Sequence, residues 1–232
     1  MQLTISLRRV AIILVTVLVV LVAAGICAEY ARYILGSKSP LIEFFSLTEE
    51  KNIPTWWSSF LLATCSVVLY TIAATKSRST GEFKRHWIAL AAIFCYMSVD
   101  ELVEIHEWLS SVPGLGSLHG FLYYGWVVPA AILVAVFALS YLRFLFHLPV
   151  GTRGKVAVAG IIFVGGAIGV ELILGAWTDA HDEFNVVWAM IGLVEETMEI
   201  MGSSLFLYAL LEYLGRTAPD LRLAVGSGRD GY

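Results

Sequence analysis

Val10-Ala11-Ile12-Ile13-Leu14-Val15-Thr16-Val17-Leu18-Val19-Val20-Leu21-Val22-Ala23-Ala24-Gly25-Ile26-Cys27-Ala28 runs for 19 residues without a charge. A helix crosses the bilayer core with about 20 mostly apolar residues, because each backbone N–H and C=O there must find its partner inside the segment. This stretch decides the class of the protein. Arg8 and Arg9 in front of it give it the look of a secretory signal. However, the apolar run exceeds the ~7–15 residues of a signal core, and Ile26 spoils a lipoprotein-type cleavage box, so a retained helix is expected.

Outward from this segment the chain reads alike. It is 58% hydrophobic and only 15% charged, with a mean hydropathy of +0.78, far from the mix of a soluble domain. Five more stretches have the length and composition of spans, at 55–75, 87–108, 121–146, 156–177 and 186–214. The expected fold is all-α: one polytopic membrane domain over 1–232 with six transmembrane helices and a short tail at 215–232. Cys27, Cys65 and Cys95 fall in apolar runs without metal-ligand spacing and read as small buried residues.

Lys and Arg in short loops set orientation. With the N-terminus in the cytoplasm, twelve of the fifteen basic residues lie inside, leaving Arg32, Lys38 and Lys51 outside. Both termini are then cytoplasmic, and Trp56, Trp57, Trp108, Tyr123, Tyr124, Trp126 and Trp177 form an outer aromatic belt. Acids partition the other way, so the net charge of -4 averages two unlike compartments. The longest external loop, 29–52, carries Leu41-Ile42-Glu43-Phe44-Phe45 and suits an interfacial helix or a lid.

The third span holds Asp100, Glu101, Glu104, His106 and Glu107, the fifth Glu171, and the sixth Glu195, Glu196 and Glu199. On a continuous helix Tyr96, Asp100, Glu104 and Glu107 share about 80° of arc with Glu101 on its flank, whereas His106 points about 120° from Asp100. Glu195 and Glu199 share a face with Gly192, Gly202 and Ser203, and Glu171 follows Gly165-Gly166-Ala167-Ile168-Gly169; such small residues let helices approach closely. At ~1.5 Å per residue the acids of these spans fall about 10 Å below the outer surface. Burying each charge there costs at least ~2.5–3.5 kcal/mol, so the cluster needs shared protons, bound cations or a wet vestibule.

The strings Asn52-Ile53-Pro54-Thr55-Trp56-Trp57-Ser58-Ser59, Ser98-Val99-Asp100-Glu101 with Ile105-His106-Glu107, and Glu195-Glu196-xx-Glu199-xx-Gly202 resemble an uncharacterised family of bacterial multi-pass membrane proteins. The resemblance covers roughly residues 45–210. It implies the bacterial inner membrane and carries no activity. Paired acidic helices also suggest di-iron carboxylate bundles, but Val103 stands where their Glu-xx-His motif needs an acid before His106.

Three functions compete. The first is a divalent-metal site (Mn, Fe, Zn, Mg or Ca) open to the outside, enzymatic or sensory. Its ligands would be Asp100, Glu104, Glu107, Glu171, Glu195 and Glu199, with His106, His119 and His181 as weaker candidates and Glu101 or Glu196 as general base. The second is a cation- or proton-coupled transporter. The third is an accessory subunit whose acids bind a partner's basic segment or a lipid head group; the expected partners are the lipid bilayer and a membrane protein or another copy of the chain. No phosphate-binding glycine loop occurs, and topology accounts for the basic residues, so nucleic acid is not an expected partner.

Overall fold

The computed structural model describes residues 6–76, 83–110 and 118–219, apart from the side chains of Glu107, Leu109 and Ser110. Long helices dominate it: α1 (Leu7–Tyr33), α3 (Ile53–Lys76), α4 (Lys84–Val103), α6 (Val127–His147), α7 (Val150–Val164), α8 (Glu171–His181) and α9 (Val186–Thr217). Short helices α2 (Pro40–Phe45) and α5 (Ile105–Ser110) lie in the connections, and no strand occurs among the described residues. A π-helical segment, Gly165–Val170, joins α7 to α8.

Among the described residues, five helical units are long and apolar enough to cross a membrane: α1, α3, α4, α6 and the continuous 150–181 unit. The 32-residue α9 has the length, but Glu195, Glu196 and Glu199 interrupt its apolar composition. The stretch expected at 121–146 becomes helical only from Val127, after a 3₁₀ turn at Gly120–Leu122 that starts on a glycine at φ +62°. Pro129 sits in the first turn of α6, where a missing N–H breaks no helical bond. In the loop expected to carry an interfacial helix, the six residues of α2 are helical, with Ser39 accepting from the Leu41 N–H as N-cap and Pro40 opening the helix.

The third stretch departs most from expectation. The sequence predicts one helix over 87–108, but α4 stops at Val103 because Glu104 takes φ +58°, ψ +42°. The Glu104 N–H closes the helix onto the Asp100 carbonyl at 2.7 Å, and α5 leaves in a new direction.

α9 is the central post, packed against α1, α3, α7, α8 and the π-helical segment. Its Ile200, Ala209 and Leu210, with Leu61, Cys65, Leu69 and Ile72 of α3, are at most 1% exposed and form the core. α3 and α4 are pinned by hydroxyls: Ser59 donates to the Ser98 carbonyl at 2.7 Å, Ser98 donates back to the Ser59 carbonyl at 2.9 Å, and Ser66 donates to the Ala91 carbonyl at 2.7 Å. Such bonds associate helices where water cannot compete. One end of the bundle is basic: Lys155 and Arg216 pair with Glu212 there, and Lys76 lies over the Tyr213 ring. The other end is acidic and carries the candidate site.

Candidate functional site

The break in α4 builds the first wall. Left-handed backbone at a non-glycine residue costs roughly 1–2 kcal/mol, and here it turns the chain so that His106 of α5 comes back against Asp100 of α4. Asp100 then accepts the His106 backbone N–H at 3.0 Å on Oδ1 and meets His106 Nδ1 at 2.9 Å on Oδ2. The expectation that His106 points away from Asp100 is therefore corrected, since it assumed a helix continuous through Glu104. Glu104 itself turns to the strap between α2 and α3, where it pairs with Lys51 at 2.6 Å. Lys51 is also left-handed, at φ +59°.

Behind this wall lies a cavity of about 590 Å³. Asp100, Glu101 and His106 line it from α4 and α5, Glu171 from α8, Glu195, Glu196 and Glu199 from α9, and Glu49 and Glu50 from the strap. Glycines make the walls meet. A methyl group at Gly166 would fall 2.9 Å from the Glu195 carbonyl oxygen and 3.2 Å from Glu199 Cγ, and one at Gly192 would fall 3.0 Å from Thr48 Cγ2. The π-helical segment and the strap therefore lie directly on the acid face of α9.

Glu171 and Glu195 are each only 8% exposed, and both line the cavity. Glu196 and Glu199 both lie within electrostatic range of Glu101 and Glu171. No lysine or arginine is among the described residues lining the cavity. Two unit charges ~5 Å apart repel by roughly 3 kcal/mol at an effective dielectric of 20, so ionised carboxylates in this number require counter-charge. The donor set is almost all oxygen, the chemistry of hard divalent cations. Among the described residues, no three His, Cys, Asp or Glu side chains are gathered closely enough to hold a bare metal ion.

An aromatic rim ties the walls together. Trp126 Nε1 donates to Glu171 at 3.1 Å, and its ring lies 4.9 Å from that of His106. Trp188 Nε1 donates to the Tyr124 hydroxyl at 3.4 Å, and Tyr124 reaches Thr178 at 3.2 Å and Glu183 at 3.3 Å. The strap is fixed by Asn52, whose amide donates to the carbonyls of Ser46 and Glu49, both at 2.7 Å, while its Oδ1 accepts from the Thr55 N–H. Fully buried Glu29 holds the strap from α1 through Ser46 and Thr48.

Of the sequence candidates, Asp100, Glu101, His106, Glu171, Glu195, Glu196 and Glu199 come together around one cavity. Glu104 does not line it, and the Glu107 side chain lies outside the described residues. His119 pairs with Asp179 at 2.9 Å, and His181 stacks on Trp177; neither is among the lining residues. Sequence reasoning missed Glu49 and Glu50 as wall residues and took Tyr124 and Trp126 for membrane-belt aromatics. The tight Asn52-x-Pro54-Thr55 helix start was the available signal that the strap folds back. Among curated proteins and solved structures, nothing matches the chain. The family described as a domain of unknown function (DUF8692) matches residues 11–214, and the chain belongs to that family.

Proposed function

We propose that this is a six-span protein of the bacterial inner membrane, with both termini cytoplasmic, that binds a partly hydrated divalent cation from the external side in its acid-walled cavity. One observation carries the reading: glutamates from α4, α8 and α9 face a common space that no described lysine or arginine lines. α9 is counted as the sixth span because its acids turn to this space rather than to lipid, the condition under which a membrane helix tolerates them. The loop distribution of Lys and Arg supports the orientation.

A hydrated ion reconciles the carboxylate density with their spacing. Magnesium-like cations shed water reluctantly and bind through one or two carboxylates plus several waters. Six waters at about 30 Å³ each fit easily within about 590 Å³. Glu196 and Glu199 hold the ion with Glu171 and Glu101. In a metalloenzyme, whichever of Glu101 and Glu196 reaches the ion through a water, not directly, would be the general base toward that water.

Manganese is the probe ion, followed by electron paramagnetic resonance of the protein in nanodiscs. Saturable Mn²⁺ binding is expected, weakened about tenfold or more in Glu196→Gln/Glu199→Gln. Absence of saturable binding by folded protein, or equal affinity in the variant, refutes the proposal. A second reading, cation- or proton-coupled transport, is favoured by the same gathering of buried carboxylates from three helices without a lining lysine or arginine. It predicts proton flux in liposomes that Glu195→Gln abolishes.

A further inference from the structure

The cavity is not acidic throughout, and it is not closed on all sides. Besides the acids, Leu62, Met97, Leu133 and Phe163 line it, and Phe163, packed on Gly202, lies beyond Glu199 along α9. Leu133 stands seven residues past Trp126, about 10 Å deeper along α6. No acid of α9 past Glu199 lines the chamber, and its lining there is apolar.

Its weak side is the junction of α4 and α6. Of α6 only Val127 and Phe144, near its two ends, are buried. At the basic end Phe144 stacks edge-on against Trp87 and Tyr141 donates to the His86 carbonyl. Between these anchors no residue of α6 is buried. Leu133 lines the cavity yet is 69% exposed on the surface of the bundle, so the apolar end of the chamber communicates with the lipid-facing surface there.

We infer that the cavity takes an amphiphile from the outer leaflet through the opening between α4 and α6, with a cationic amine head at the carboxylates and its alkyl chain passing Leu133 into the bilayer. Charge complementarity selects the head, because a wall of glutamates without lysine or arginine attracts an ammonium group and repels a phosphate. The two-toned lining selects the rest. A leaflet lipid lies with its head at the surface and its chain toward the midplane, the same order as acid then apolar lining. The inference shares the acid-walled cavity with the proposed function but does not require a divalent ion to occupy it.

The test uses a long-chain primary alkylamine bearing a mid-chain diazirine and the alcohol of identical chain, each photolysed with the protein in neutral-lipid nanodiscs containing chelator. Expected is amine labelling concentrated at Met97, Ala130, Leu133 and Val134, about tenfold above the alcohol and lost in Glu196→Gln/Glu199→Gln. Leu133→Trp plugs the opening at an exposed position; it should abolish labelling while leaving saturable Mn²⁺ binding intact, which separates the two readings. Equal labelling by amine and alcohol, labelling spread along the lipid face of α6, or labelling unchanged by Leu133→Trp overturns the inference.

Discussion

Asp100 and Glu104 are four residues apart and do opposite jobs. Asp100 accepts two bonds from His106 and turns the imidazole toward Trp126. Asp100→Asn should lower stability by about 1–3 kcal/mol, the loss of hydrogen bonds to a charged acceptor, read by thermal unfolding in nanodiscs. Glu104 holds the strap. The hydrogen bond with Glu50 and the Lys51 ammonium keep its carboxyl below the usual carboxylate range. A depressed folded-state pKa adds stability that is complete above the unfolded value, about 4.3, and is lost as pH falls through the lower folded value. Acidification from pH ~5 should therefore lower the wild-type melting temperature more steeply than that of Lys51→Met, which lacks the pair already at neutral pH. Equal slopes would show that the pair does not hold the strap. Neither role was legible in the sequence. A helical wheel sends His106 away from Asp100 only while the helix continues, and nothing in Val103-Glu104-Ile105 announces left-handed backbone at a glutamate.

At the scale of elements, close approach was legible and its geometry was not. The run Gly165-Gly166-Ala167-Ile168-Gly169 marks where a neighbour comes near, and Gly192 and Gly202 mark the facing side of α9. Absent from the pattern is the π-helical register of 165–170, which depends on the extra residue being accommodated against α9. Gly166→Ala forces a methyl group to 2.9 Å from the Glu195 carbonyl oxygen and should cost about 1–3 kcal/mol, together with weaker Mn²⁺ binding as α9 is displaced. Gly154→Ala, on the same helical unit but with nothing within 4 Å, should be neutral or stabilise by roughly 0.5–1 kcal/mol. Thermal unfolding of the pair checks this; equal effects would mean the contact is not tight.

For the whole molecule, apolar length and charge bias were enough to read a helical membrane protein, since both follow from the physics of the bilayer. The cavity was not, because it depends on α9 standing centrally and on the break of α4 at Glu104. Orientation is testable by cysteine labelling in a background with Cys27, Cys65 and Cys95 replaced by alanine. His119→Cys, on an 83% exposed side chain, should react with an impermeant maleimide on intact cells. Val150→Cys, 74% exposed at the basic end, should react only after lysis, and the reverse pattern would invert the topology. The central claim, a divalent cation among the carboxylates, is tested most directly by anomalous diffraction from crystals grown with Mn²⁺. One anomalous peak is expected inside the cavity, bordered by Glu171, Glu196 and Glu199. A cavity without a peak at saturating Mn²⁺, or peaks confined to surface acids such as Asp182, would contradict it.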